Sequence, residues 1–110
     1  MDRAIAVATL SEIPEGTSKR VEVAGRIIAL FHRNGRFYAL DHHCPHRGGP
    51  LGEGCVEGDV VICPWHGWQF RLEDGISPIN PAARVATYPV TVRGDRILLA
   101  LPEEGKNHAT

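Results

Sequence analysis

The sequence lacks the features of several protein classes. No apolar run approaches the length that a membrane-spanning helix needs. The first residues, Met1 to Ala6, contain no basic stretch followed by a long apolar segment, so we expect no signal peptide. Neither charge sign dominates, since 12 Lys and Arg stand against 13 Asp and Glu. This balance argues against nucleic acid or a membrane surface as the main partner.

Cysteine is scarce, and sustained helical periodicity is missing. The three Cys residues do not suit a disulfide framework, because their number is odd, so a reducing cytoplasm fits best. A chain of 110 residues is long enough for one modest core. We therefore expect a single domain over residues 1–103 and a polar C-terminal tail over residues 104–110.

Twelve Gly and eight Pro punctuate short β-branched runs, which predicts an all-β fold. Asn34-Gly35 is the strongest hairpin signal in the chain. We expect a first ligand loop from Asp41 to Leu51, in a region that Gly48, Gly49, Gly52 and Gly54 make turn-rich rather than helical. Val85–Tyr88 and Val90–Arg93 are expected to form one interrupted strand.

Two short stretches carry the chemistry of the chain. Cys44-Pro45-His46 and Cys63-Pro64-Trp65-His66 each offer one thiolate and one imidazole, and the sixteen residues from Arg47 to Ile62 separate them. Residues two apart in an extended segment point to the same side, and Cys-x-x-His suits a turn that leaves a strand. Such a set can hold two irons, with both thiolates on one and both imidazoles on the other, or a single zinc ion.

Longer segments around these residues resemble the Rieske 2Fe–2S family. They are Cys44–Leu51, Glu57–Phe70 and Thr87–Val92, and the resemblance extends over residues 4–101. It implies one 2Fe–2S cluster, with Cys44 and Cys63 on one iron and the Nδ1 atoms of His46 and His66 on the outer iron. It also implies antiparallel sheets in a sandwich or partial barrel, with a cluster-binding subdomain formed by two loops.

The resemblance implies a soluble ferredoxin that carries single electrons from a flavin reductase to a terminal oxygenase. The alternative within the family is the small subunit of an assimilatory nitrite reductase, whose partner is the large subunit. The alternative of another class is a zinc-bound interaction module. We do not expect an enzyme by itself, because no second His-rich metal motif remains and a ligand-saturated cluster has no open coordination position.

The chain departs from the high-potential Rieske proteins at positions next to the ligands. Their disulfide cysteines match Gly49 and Trp65, and their Ser and Tyr hydroxyls match Trp68 and Phe70. For Trp68 and Phe70 a place in the hydrophobic core is at least as good an interpretation, because they alternate with Gln69 on a strand.

Other residues near these stretches have plainer interpretations. The resemblance implies that backbone amides at Gly48, Gly49 and Gly67 approach the cluster sulfurs, and that a loop with Pro78 and Pro81 covers the cluster. We expect Cys55 to be a small buried or half-buried side chain in a loop. Of the remaining histidines, we expect His42 and His43 to be ordinary strand-end residues and His32 and His108 to lie at the surface. Trp65 and Trp68 are expected to form part of a docking face or to shield the cluster from water.

The missing hydroxyls predict a low reduction potential. Hydrogen bonds to the cluster sulfurs stabilise the more negative, reduced state, so their loss lowers the potential. We expect about −150 mV, the negative end of the Rieske range, rather than about +300 mV. Voltammetry of the purified protein measures this value, and a potential clearly above zero would contradict the prediction.

Overall fold

The computed structural model describes residues 2–43, 49–65 and 67–102. Within these ranges the chain is built almost entirely of strands, and every strand pair is antiparallel. The strands are β1 (Asp2–Thr9), β2 (Ser18–Val23), β3 (Arg26–Arg33), β4 (Arg36–Asp41), β5 (Cys55–Glu57), β6 (Val60–Ile62), β7 (Gln69–Arg71), β8 (Thr87–Tyr88), β9 (Val90–Arg93) and β10 (Arg96–Pro102). Two short 3-10 helices cover Leu10–Glu12 and Leu51–Glu53. The predicted all-β fold is confirmed.

The strands form three sheets. The terminal sheet has the order β1-β10-β9, the central sheet β2-β3-β4-β8 and the inserted sheet β5-β6-β7. The inserted sheet lies in the chain between β4 and β8, two neighbours in the central sheet. The segment that carries both ligand stretches is therefore an insertion into the central sheet. No helix in the described ranges is long and apolar enough to cross a bilayer.

The central sheet is buried on both faces. Along β3, Ile28 and Leu30 belong to the core shared with the terminal sheet, while Ala29 and Phe31 belong to the core that contains Val61 of the inserted sheet. This alternation follows from the two-residue period of a strand. Each fully buried aliphatic or aromatic side chain contributes about 1.5–3 kcal/mol, so the second core holds the inserted sheet firmly.

The Asn34-Gly35 hairpin is confirmed and is fastened by an acidic side chain. Both residues have positive φ values, 54° and 76°, as a tight hairpin turn requires. The Glu15 carboxylate accepts hydrogen bonds from the backbone N–H groups of Asn34 (2.6 Å) and Gly35 (2.9 Å). These bonds, to Gly35 first and then to Asn34, lower the pKa of Glu15.

The expectation that His32 is a surface residue is wrong. Its ring stacks on Phe37 with centroids 4.1 Å apart, and its Nδ1 lies 2.8 Å from the Ile13 carbonyl oxygen. Its Nε2 lies 3.3 Å from Glu15. The side chain is half-buried because the loop before β2 folds back over the hairpin.

The expected single strand from Val85 to Arg93 is also wrong, because the chain changes sheets in its middle. Tyr88 in β8 pairs with Ala39 in the central sheet, whereas β9 pairs with β10 in the terminal sheet. Pro89 separates the two strands, and its missing N–H interrupts the ladder. Its carbonyl accepts a hydrogen bond from the Ala100 N–H at 3.0 Å.

Cys55 is the first residue of the strand β5 (Cys55–Glu57) and does not lie in a loop. Cys55 pairs with Ile62 across the inserted sheet, and its side chain is exposed. The expectation of a buried or half-buried side chain in a loop is therefore wrong. The predicted tail, residues 104–110, lies outside the described residues.

The carboxylate of Glu15 predicts a pH-dependent contribution to stability. Since its pKa is lowered in the folded state, the contribution is fully present above the unfolded value and is lost as the pH falls through the folded value. We expect Glu15→Gln to lower the melting temperature at neutral pH and to match the wild type at strongly acidic pH. Thermal melts across pH test this, with Glu22→Gln as an exposed control; a pH-independent difference would contradict it.

Candidate metal centre

Cys63 lies at the base of a tight loop between two strands of the inserted sheet. It follows β6 directly, and its backbone N–H donates to the Trp68 carbonyl at 2.7 Å. Gly67 within this loop has a φ of 71°, a left-handed conformation that glycine adopts without strain. The Cys63 side chain is only 1% exposed and belongs to the core below the loop. The second ligand stretch is thus a closed hairpin loop with its sulfur turned inward.

The first ligand stretch lies in a loop whose two ends are joined. His43 and Pro50 form an antiparallel bridge, and the Leu51 N–H donates to the His42 carbonyl at 2.6 Å. Cys44 and His46 themselves lie outside the described residues, and so does His66 of the second stretch. The described part of the chain therefore shows the ends of the first loop and the sulfur of the second.

Gly49 brings the two loops together. A Cβ atom at this position would lie 2.7 Å from the Cys63 Sγ and 3.1 Å from the Trp65 Cβ, closer than van der Waals contact permits. The backbone of the first loop therefore passes directly over the sulfur of the second, because Gly49 has no side chain. A buried thiol beneath a second loop that carries another thiol fits a shared metal centre.

The contact at Gly49 also involves the two positions that match the disulfide cysteines of the high-potential Rieske proteins. Gly49 and Trp65 face each other across the two loops, so the positions are neighbours in space. Here a glycine and an indole make the contact without a covalent bond. Trp65 remains 49% exposed at the surface of this loop.

Trp68 and Phe70, which match the Ser and Tyr of the high-potential Rieske proteins, pack within the inserted sheet and its core. Phe70 is fully buried, and Trp68 packs against the same core with its ring 6.5 Å from that of Phe70. The interpretation of Phe70 as a core residue is confirmed. Neither side chain offers a hydroxyl to a neighbouring sulfur.

The loop with Pro78 and Pro81 lies beside the second ligand loop. Gly67 and Trp68 line a shallow pocket together with Ser77 and Ile79. Ser77 is buried, and its Oγ accepts hydrogen bonds from the Ile79 N–H (3.3 Å) and the Asn80 N–H (3.2 Å). Both prolines are exposed on this ordered turn. Serine at position 77 was not singled out from the sequence, because its role depends on burial.

His42 is also placed differently from the expectation. Its side chain is 3% exposed, and its Nδ1 accepts a hydrogen bond from the Gly52 N–H at 3.2 Å. Burial, followed by the neighbouring His43, lowers the pKa of His42. It is therefore a buried, hydrogen-bonded histidine rather than an ordinary strand-end residue. His43 is exposed, as expected of a strand-end residue.

Comparison with known proteins decides the family. The model of the Rieske [2Fe-2S] domain matches residues 3–89. The chain belongs to the Rieske family. The matching model describes a [2Fe-2S] domain, so the family that the sequence resembles is confirmed, and with it the kind of cofactor.

The relatives within the Rieske family include electron-carrier subunits. The chain is 38% identical over 96 residues to the 3-phenylpropionate/cinnamic acid dioxygenase ferredoxin subunit of Shigella flexneri serotype 5b (strain 8401). That match covers 86% of this chain and 90% of the relative.

Solved structures share the Rieske fold of this chain. One is a complex of reduced oxygenase and oxidised ferredoxin in carbazole 1,9a-dioxygenase; the matched chain is 28% identical, with a TM-score of 0.80 and coverage of 92% of this chain and 95% of that one. Another is a putative NADH-dependent nitrite reductase small subunit from Mycobacterium tuberculosis, with a TM-score of 0.87, 23% identity and coverage of 94% and 98%. At that identity the second match shows the fold alone.

The contact at Gly49 predicts that even a methyl group disturbs the site. We expect Gly49→Ala to reduce the iron content per chain at least several-fold, because the added Cβ displaces either the first loop or the Cys63 sulfur. Gly94→Asn is the control, since nothing lies within 4 Å of a Cβ there and asparagine tolerates its positive φ. Iron and sulfide assays of both variants measure the effect. Wild-type iron content in Gly49→Ala would contradict the close approach.

Proposed function

We propose that this Rieske protein carries single electrons from a flavin reductase to a terminal oxygenase and has no catalytic site of its own. The observation that carries the proposal is the match along 90% of a dioxygenase ferredoxin subunit at 38% identity. The match to a ferredoxin seen in complex with its oxygenase supports the same partner. The thiolate ligands favour the reducing cytoplasm as the place of action.

The proposed ligands are Cys44 and Cys63 for one iron and His46 and His66 for the other, in one cluster per chain. When bound, the 2Fe–2S cluster supplies a one-electron couple. The buried Cys63 side chain and the backbone of Gly49 above it support this assignment, because they exclude water from the sulfur side. Neutral imidazole ligands in place of thiolates raise the potential above that of an all-cysteine cluster.

The side chains around the second loop suit contact with another protein. Trp65 is 49% exposed and Ile79 is 70% exposed, although both are large and apolar. Tryptophan is enriched among the residues that dominate binding energy at interfaces. We infer that the acceptor docks over this end of the molecule, beside the loop that carries Cys63.

The alternative within the family is the small subunit of an assimilatory nitrite reductase. The glycine-rich flank of the first ligand pair, from Cys44 to Leu51, favours it, and the partner would then be the large subunit. The shared fold does not separate the two functions, because both kinds of protein adopt it. The choice rests on which acceptor takes the electron.

The ligand set predicts different effects for Cys63, in the second ligand loop, and for Cys55, on β5. Cys63→Ser is expected to yield colourless protein with less than about a tenth of the wild-type iron, because serine is a poor ligand for this cluster. Cys55→Ser should retain the red-brown colour, since Cys55 is exposed on β5. Absorption spectra and iron assays of both variants compare them directly. Wild-type protein that is colourless and holds one zinc would instead support the zinc module.

The electron path is tested by reconstitution with separate partners. Purified protein is mixed with NADH and a flavin reductase, then with either a dioxygenase oxygenase component or a nitrite reductase large subunit. We expect rapid reoxidation by the oxygenase. We also expect Trp65→Ala to slow it at limiting protein by about 30-fold, the effect of about 2 kcal/mol at an interface.

The control for this experiment is Val92→Ala, which truncates an exposed apolar side chain on β9 of the terminal sheet. It should transfer electrons at the wild-type rate. Reoxidation by nitrite and the large subunit alone would favour the alternative function. Equal rates for Trp65→Ala and the wild type would exclude this docking face.

A further inference from the structure

His42 is a buried polar side chain that the proposed function does not use. It follows β4 and stands two residues before Cys44, at the entrance to the first ligand loop. Its side chain is 3% exposed. A buried imidazole requires hydrogen-bond partners, and the partners of His42 show which parts of the chain it connects.

The hydrogen bonds of His42 join the two ends of that loop. Its backbone N–H donates to the Ile27 carbonyl at 3.0 Å, which ties the entrance to β3. Its carbonyl accepts from the Leu51 N–H at 2.6 Å, and its Nδ1 accepts from the Gly52 N–H at 3.2 Å. Because Nδ1 accepts, the ring proton of the neutral histidine is on Nε2.

The fit between His42 and Gly52 is tight. A Cβ atom at Gly52 would lie 2.7 Å from the His42 Nδ1 and 3.0 Å from its Cε1. The imidazole therefore lies directly against the backbone of Gly52. On the other side, the Ser18 hydroxyl donates to the Gly52 carbonyl at 2.8 Å. Gly52 is thus fixed through both its N–H and its carbonyl.

We propose that His42 is a positioning residue for the first ligand pair, Cys44 and His46. His42 holds the far end of the ligand loop through its hydrogen bond with Gly52. The loop between them carries Cys44 and His46, so this inference rests on the proposed ligand set. Fixing both ends reduces the number of conformations that the ligands sample before and after they bind iron. Partners that orient ligands in this way typically change metal affinity about 10–100-fold.

The test compares two side chains that both lack the imidazole ring. In His42→Asn the Oδ1 takes the place of Nδ1 and accepts the Gly52 N–H, whereas in His42→Leu a methyl group stands there. We expect His42→Leu to release iron to a chelator about tenfold faster than the wild type, and His42→Asn to stay within about twofold. Rescue by asparagine separates the hydrogen bond from the volume of the ring.

Two further measurements keep the test decisive. Hydrogen–deuterium exchange of the peptide that covers residues 49–54 should be faster in His42→Leu and near the wild-type rate in His42→Asn. Ser18→Ala removes the other bond to Gly52 from an exposed strand, and is expected to release iron about threefold faster without a folding defect.

The iron-release and exchange measurements either support or overturn the proposed role of His42. Failure of His42→Leu to load a cluster, with loading of His42→Asn, supports the proposal. Equal iron release from His42→Leu and the wild type overturns it, and so does equal loss from both His42 variants. If the wild type itself binds no cluster, the proposed function fails, and exchange at residues 49–54 still decides whether His42 holds Gly52.

Discussion

The structure depends on a close approach of two loops that leaves no room for a side chain at Gly49, between Cys63 and Trp65. Gly49 passes over the sulfur of Cys63, and a Cβ there would lie 2.7 Å from that sulfur. All the proposed chemistry requires thiolates and imidazoles from two separate stretches of chain to meet at one place. The contact at Gly49 sets how near the stretches can come.

The rest of the fold holds the two loops in the positions that this close approach requires. The inserted sheet packs on a central sheet that is buried on both faces, so its loops have a rigid base. Each loop is then closed at its own ends, the first through His42 and Leu51 and the second through Cys63 and Trp68. Loops held in this way limit the reorganisation that accompanies a change of charge, as an electron carrier requires.

The sequence predicted the features that depend on local chemistry. Ligand types and spacing mark the two stretches, and Asn34-Gly35 marks a hairpin because few residues adopt its positive φ values. The switch of sheets at Pro89, the burial of His42 and the exposure of Cys55 were not predicted. Each depends on which distant strand is the neighbour, and no local pattern reports that. Cys55, for example, is exposed because β5 pairs with β6 with that side chain turned outward.

We propose that a sulfur pair and a nitrogen pair bind different irons of one cluster in this chain. Electron paramagnetic resonance of the reduced protein tests it most directly. We expect a rhombic signal with an average g value of about 1.9 and an intensity of about one spin per chain. A reduced protein that is silent, colourless and loaded with one zinc ion per chain would contradict it.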